Sequence, residues 1–290
     1  MKEINVICPA KINLNLAIEH RRPDNYHEIS SLMQPIDLND TVSISLTESS
    51  NLIELDFPDN TVSFNDNLIT KVAKSFYNTF SIKQSIKISV KKKIPFGSGM
   101  GGASSNAAAT LLGLSKIFNI DSFPEILNIG AELGADVPFF LFSRTARVTG
   151  KGDKVEIIEN PPKLKYLLIF PGFSCDTKEL YALWDSKNYI QNNNTNLDKI
   201  NKISFKNDNL YLRNDFMPIL IERHSEYKKI FTMLDELKLK NYSISGSGST
   251  VFSVLDNDSD TKEAENYLES STNTKVLIVE SIEGWRFYLD

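Results

Sequence analysis

Residues 94–109 read IPFGSGMGGASSNAAA: a proline, a glycine-rich run, two serines and then alanines. The run contains a G-x-G-x-x-G at Gly97, Gly99 and Gly102. Glycines remove side chains so that backbone N–H groups can face phosphate oxygens, and a helix starting there adds the positive end of its dipole. Ser104 and Ser105 supply hydroxyl donors. Upstream, IKISVKKKI (86–94) alternates as a half-buried strand with Ile86, Ile88 and Val90 inward, and downstream SSNAAATLLGLSKIF (104–118) has the composition of a helix. Glycines crowded between a strand and a helix favour a phosphate loop over a plain turn.

Several architectures use such a loop, and the neighbouring residues discriminate among them. A P-loop requires lysine after its second glycine, whereas Gly102 is followed by Ala103. The dinucleotide fingerprint fits in part: a strand precedes, a helix follows, and Asp121 lies near the distance of the ribose-binding acid. A dinucleotide strand, however, is buried on both faces and almost wholly apolar. This one carries Lys87, Ser89 and Lys91. A protein-kinase loop needs H-R-D and D-F-G elsewhere, and the sequence has neither. The loop therefore holds phosphate in some other architecture.

The rest of the chain sets the frame. At 290 residues, 41% hydrophobic and 24% charged, it is expected to form about two globular domains. A net charge of -5 argues against a nucleic-acid partner. Cys8 and Cys175 lack metal-ligand spacing and fit a reducing compartment. Glu3, Lys11 and Asn13 interrupt any signal-peptide core, and runs such as VPFFLF (137–142) are too short to span a bilayer. A soluble cytoplasmic protein with no membrane partner, monomer or homodimer, is expected. Strands are read at 4–16, 41–46, 52–57, 165–170 and 274–282, and on either side of a glycine turn within 243–255; helices are read at 67–80, 177–184, 226–237 and 260–270. Ser122 and Glu125 form a capping-box pattern before PEILNIGAEL, with Gly134 ending that helix. Irregularly mixed strands and helices favour α+β over a doubly wound sheet. ENPPK (159–163) is the best boundary, giving domains 1–158 and 159–290, and NYIQNNNTN (188–196) is read as a mobile loop.

Four further features carry chemistry or a plainer role. Asp136, in GADVP, either orients and deprotonates a hydroxyl or simply caps 137–142. Lys11, in PAKINL, shares a polar strand face with Asn13; it is either solvated or, beside a carboxylate, a stabiliser of developing charge. SGSGS (245–249) is a tight hairpin or a second glycine loop near the phosphates. Tyr26 and His27, in DNYHEI, offer an aromatic face and a hydrogen-bonding ring.

Taken in order, PAKINLNL, NYHEI, IPFGSGMGGASSNAAA, GADVPFFLF and SISGSGSTVF resemble the GHMP kinase superfamily over nearly the whole chain. The resemblance is strongest to members that phosphorylate a cytidine-diphosphate-linked alcohol in isoprenoid precursor synthesis. It implies an α+β fold of two domains, N-terminal ribosomal-S5-domain-2-like and C-terminal ferredoxin-like, with the site in the cleft. It implies Lys11 and Asp136 as the catalytic pair, ATP as co-substrate and Mg²⁺ as its ion. By the same resemblance Pro95, Phe96, Gly97, Ser98, Gly99, Met100, Gly101, Gly102, Ala103, Ser104 and Ser105 form the ATP phosphate loop. Asn13, Tyr26 and His27 match positions that contact the cytidine, an aromatic ring stacking on the base. Ser98 and Ala103 stand where glycines are usual, Asn25 replaces a glycine and Asp176 a serine. Rival readings are a mevalonate or homoserine type of kinase from the same superfamily, and a catalytically silent nucleotide-binding regulator.

Overall fold

In the computed structural model, which describes residues 3–58, 62–186, 211–255, 261–272 and 274–289, the chain opens with two long antiparallel strands, β1 (Glu3–Arg21) and β2 (His27–Leu46). A turn at 22–26 joins them, with Asn25 at φ +68°, a left-handed position that asparagine tolerates. The alternating apolar residues of β1 do not share one core. Ile4, Val6 and Cys8 enter the first, Ala10, Ile12 and Leu14 a second, and Leu16 and Ile18 a third. The changes coincide with register shifts at Pro9/Ala10 and Asn13/Asn15. The face of Lys11 and Asn13, polar in sequence, is buried here because it faces a cleft rather than open solvent.

The first sheet grows outward from β2. Its early half pairs with β5 (Ala146–Gly150), which pairs with β6 (Lys154–Ile157). Its later half pairs with β4 (Ile86–Lys91), and β3 (Ile53–Asp56) lies parallel to β4. One face is covered by α1 (Leu68–Phe80), α2 (Gly102–Ile117), α3 (Phe123–Leu133) and α4 (Val137–Phe142). Asn67 caps α1 by accepting from the Ile69 N–H at 3.0 Å. In α2 the alanines 107–109 are fully buried, and a Cβ on Gly113 would lie 2.7 Å from Ile44. Small residues thus let α2 approach the sheet closely enough to place its N-terminus in the cleft.

The second sheet is antiparallel, in the order β11 (Lys275–Glu280), β7 (Lys165–Phe170), β10 (Val251–Leu255), β9 (Tyr242–Ile244). Leu167, Ile169, Val251 and Val276 pack with residues of α5 (Thr177–Ser186), α6 (Met217–Arg223), α7 (Glu226–Glu236) and α8 (Thr261–Thr272). Tyr166, Leu168, Phe170 and Phe252 instead cluster with Ala10, Ile12 and Leu14 of β1. Two short strands from late in the chain return to the first sheet: β8 (Arg213–Asn214) parallel to β1, and β12 (Arg286–Leu289) antiparallel to it.

One local expectation changes and one is met. Ser122 makes no backbone cap, because its hydroxyl bonds the Glu125 carboxylate directly. Gly134 does end α3, but with extended rather than left-handed backbone. The asparagine-rich stretch 188–196 lies outside the described residues. No helix among the described residues is long and apolar enough to cross a membrane.

Candidate active site

The glycine loop lies between β4 and α2, and its geometry revises the spacing that matters. Gly97, Gly99 and Gly101 have φ of +60°, +72° and +72°, whereas Gly102 is the first residue of α2. The working pattern is therefore G-x-G-x-G, and the dinucleotide-like spacing is incidental. Ser98 fits without glycine's freedom: it is buried, and its hydroxyl donates to Pro95 O at 2.7 Å. Ala103 falls within the first turn of α2, where its Cβ is tolerated. A Cβ on Gly101 would lie 2.6 Å from the Phe140 ring, and one on Gly99 would lie 2.2 Å from Ser245 O.

Lys11 anchors the floor. Its N–H donates to Met100 O at 3.1 Å, and its buried ammonium donates to Gly99 O at 2.7 Å and to the Asn13 side-chain oxygen. Asp136 Oδ2 stands 4.0 Å from Lys11 Nζ. Burial lowers the lysine pKa below its ordinary value, and the Asp136 charge opposes that shift. Asp136 makes no side-chain cap to α4. Its carboxylate is 29% exposed and faces the cleft, so the plainer capping role is not used.

SGSGS joins β9 to β10, but the register from Ile244 to Val251 leaves a longer loop than a tight hairpin requires. That loop packs on the first glycine loop. Ser245 Oγ donates to Gly99 O at 3.1 Å and accepts from Asn13 N–H at 3.3 Å. A Cβ on Gly246 would lie 3.0 Å from both Lys11 Nζ and Gly99 O. At the rim, Thr177 Oγ1 and Ser247 Oγ share a hydrogen bond of 2.7 Å.

These elements enclose a cleft of about 340 Å³. Lys11, Asn13, Asp136 and residues 95–104 line it together. Ser105, next to the lining residue Ser104, has its hydroxyl buried and without a hydrogen-bond partner among the described residues. Tyr26 and His27 are not among the described lining residues. His27 is buried, bonded through Nε2 to Asp185 at 2.7 Å and stacked on Tyr181 at 4.6 Å. Tyr181 does line the cleft. Tyr26 is 53% exposed, with Lys151 Nζ 5.3 Å from its ring centre.

Sequence reasoning missed Tyr181, which belongs to the unremarkable stripe of a helix, and missed Lys92 and Asp40. Asp40 is fully buried and accepts from Lys93 N–H at 2.7 Å, Ile94 N–H at 2.9 Å and Asn106 Nδ2 at 3.0 Å, with Lys92 Nζ as a fourth donor. One carboxylate thus ties the approach to the glycine loop to α2, while Lys92 lines the cleft. The only hint in sequence was that Lys92 falls where the strand alternation ends. Among the described residues no group of three histidines, cysteines or acids is placed to hold a metal ion. Asp136 is the one carboxylate among the described lining residues. Two lysines, a helix N-terminus and loop amides suit a polyphosphate, and the lone carboxylate suits a hydroxyl presented to it.

Comparison with known proteins agrees with this chemistry. The family described as GHMP kinases N terminal domain matches residues 67–144. A 4-diphosphocytidyl-2-C-methyl-D-erythritol kinase of Syntrophus aciditrophicus is 34% identical over 97% of this chain and 100% of its own length. The protein of the same name from Thermodesulfovibrio yellowstonii is 36% identical, over 90% and 92%. A crystal structure of 4-(cytidine 5'-diphospho)-2C-methyl-D-erythritol kinase superposes with a TM-score of 0.77 at 25% identity, covering 97% of this chain and 100% of that one. A homoserine kinase from Cytophaga hutchinsonii shares the fold, with a TM-score of 0.73 at 16% identity over 99% and 98%.

Proposed function

This chain belongs to the 4-diphosphocytidyl-2-C-methyl-D-erythritol kinase family, and we propose that it transfers the γ-phosphoryl group of ATP to the 2-hydroxyl of that cytidylyl alcohol. The products are ADP and the 2-phosphate, an intermediate of non-mevalonate isoprenoid precursor synthesis. The observation that carries the reading is the convergence of Lys11, Asp136 and the glycine loop in one cleft.

In this reading the amides of residues 97–102 and the start of α2 hold the triphosphate. Asp136 orients the acceptor hydroxyl and takes its proton as the oxygen–phosphorus bond forms and the bond to ADP breaks. Lys11 stabilises charge on the transferring group, and its bond to Gly99 O fixes the loop against the same ammonium. Phosphoryl transfer asks mostly for such positioning and electrostatic stabilisation. Asn13 borders the acceptor, while the exposed ring of Tyr26 and the bonded ring of His27 serve the cytidine end.

The donor set fits Mg²⁺, which keeps phosphate oxygens and waters and needs only one or two protein ligands. The hydroxyls of Ser104 and Ser105 would hold it, and the unpartnered buried Ser105 Oγ supports that choice. Held there, Mg²⁺ would supply charge neutralisation of the triphosphate during transfer. The division at 158/159 is part of the same reading, supported by ENPPK falling between β6 and β7.

The test is direct. Incubation with ATP and the cytidylyl alcohol should give a product heavier by one phosphoryl group, identified by mass. Mevalonate and homoserine should release no ADP above background. Turnover of either, without turnover of the cytidylyl alcohol, would transfer the assignment to another branch of the superfamily.

A further inference from the structure

We propose that residues 281–287, the strap that leads from β11 into β12, position Asp136 by clamping the far end of α4, with Glu283 and Trp285 as the positioning residues. The inference rests on Asp136 meeting the acceptor hydroxyl.

α4 is only six residues long, and Asp136 stands at its N-terminal boundary without a side-chain cap. A six-residue helix closes few bonds of its own; at its two boundaries Phe140 N–H reaches Asp136 O at 3.3 Å and Ser143 N–H reaches Phe139 O at 2.9 Å. A helix this short does not hold itself, and its last carbonyls are left without intrahelical donors. The strap supplies the donors. Trp285 Nε1 donates to Leu141 O at 3.3 Å, and Gly284 N–H donates to Ser143 O at 2.7 Å. Just beyond, the Glu283 carboxylate accepts from Thr145 N–H at 3.1 Å and from the Thr145 hydroxyl.

The same strap reaches the strand that carries Lys11. Ile282 N–H donates to Pro35 O at 3.0 Å, and Arg286 and Phe287 pair with Ile7 and Val6 of β1. Trp285 and Phe287 pack against the core that contains Phe139, Phe140 and Leu141. One short run of chain thus fastens the helix bearing Asp136 to the strand bearing Lys11. A shift of α4 is also felt by the phosphate loop, because the Phe140 ring fills the space a Cβ on Gly101 would need. No strap residue is among the described residues that line the cleft, so its influence on turnover is expected to run through the placement of Asp136.

Two variants test this. Trp285→Phe keeps an aromatic ring and removes the N–H; Glu283→Ala removes the carboxylate from a half-exposed site. Displacements near 1 Å cost on the order of 100-fold in rate, so a partly released α4 should lower kcat about tenfold in each variant, with KM for both substrates within about twofold. The amides of Phe140 and Ser143 should exchange with deuterium at least about fivefold faster, at little cost in Tm, since local opening reports a loosened segment rather than global stability. Unchanged kcat in the folded variants would overturn the proposal. So would a kcat loss with unaltered exchange at those amides, or a loss carried mainly by KM. A wild-type protein inactive on the cytidylyl alcohol would sink the assigned function instead, and the exchange measurement would still decide whether the strap clamps α4.

Discussion

Gly99→Ala is the sharpest test of how the two glycine loops build the site. Gly99 has φ +72°, which costs an alanine about 1–2 kcal/mol through the clash of Cβ with the following carbonyl. The larger effect is steric. The new Cβ would lie 2.2 Å from Ser245 O and 2.6 Å from Gly248 O, both backbone atoms of the opposing loop. Relief to ordinary contact, about 3.4 Å or more, requires the loops to separate by on the order of 1 Å. Gly99 O would then leave Lys11 Nζ, now at 2.7 Å, and Ser245 Oγ, now at 3.1 Å. A displacement of that size in a catalytic constellation costs roughly 100-fold in kcat, about 2.7 kcal/mol. Gly172→Ala is the control, since Gly172 has φ +86° with nothing within 4 Å of the added carbon. It should lose about 1 kcal/mol of stability and keep its turnover. The assay is steady-state kcat and KM for ATP beside thermal melts of both variants. A folded Gly99→Ala enzyme with wild-type kcat would refute the claim that loop-to-loop contact sets the geometry.

Other perturbations separate the roles of individual groups. Asp136→Asn should lower kcat by about 10²- to 10⁴-fold with KM for ATP nearly unchanged, read by ADP release. Lys11 is needed as the cation, and burial lowers its pKa, so activity should fall on an alkaline limb lying below the ordinary lysine value of about 10.4. The unfolded chain holds that proton more tightly, so the lysine's contribution to stability rises with pH between its folded and unfolded pKa values, and Lys11→Met should remove that rise from a pH series of melts. Asp40→Asn leaves the partly buried Lys92 ammonium without its counter-charge and should destabilise by about 3–5 kcal/mol in chemical denaturation. Tyr181→Ala removes the ring stacked on His27 and should raise KM for the cytidylyl alcohol about fivefold, the equivalent of about 1 kcal/mol, while KM for ATP stays put.

The parts of the site legible in sequence are those whose chemistry is local. The phosphate loop declares itself because its glycines, the strand before it and the helix after it are contiguous, and each has its own signal. Asp136 and Lys11 are not decided alone, since a cap explains the first as well as catalysis does and solvation is the usual reading of the second; only the resemblance joined them. Their 4.0 Å approach depends on β1 and α4 crossing the same cleft, which no spacing encodes. The capping box failed because two side chains can satisfy each other as readily as either satisfies the backbone. Asp40 and Lys92 stayed hidden for the same reason of distance: residues 52 positions apart meet across β2 and β4, and nothing in their immediate neighbours marks either as buried.

β1 explains why so much of the site is tertiary. A strand that serves one core needs one apolar face, yet β1 is buried from Ile4 through Ile18 with interruptions only at Asn5 and Ile7. It feeds three cores in succession, so the residues on its other face become interior wherever the two sheets meet. At Lys11 and Asn13 that interior face holds polar groups, and burying them is tolerable only if each is satisfied. Gly99 O, Asp136, Ser31 and Ser245 provide that satisfaction, and three of those four residues belong to loops or a helix boundary that the second sheet, the glycine loop and α4 bring in. The cost of an amine buried between two sheets is thus met by the parts that make the amine useful. Removing any one of them should therefore disturb Lys11 itself, before it disturbs the fold.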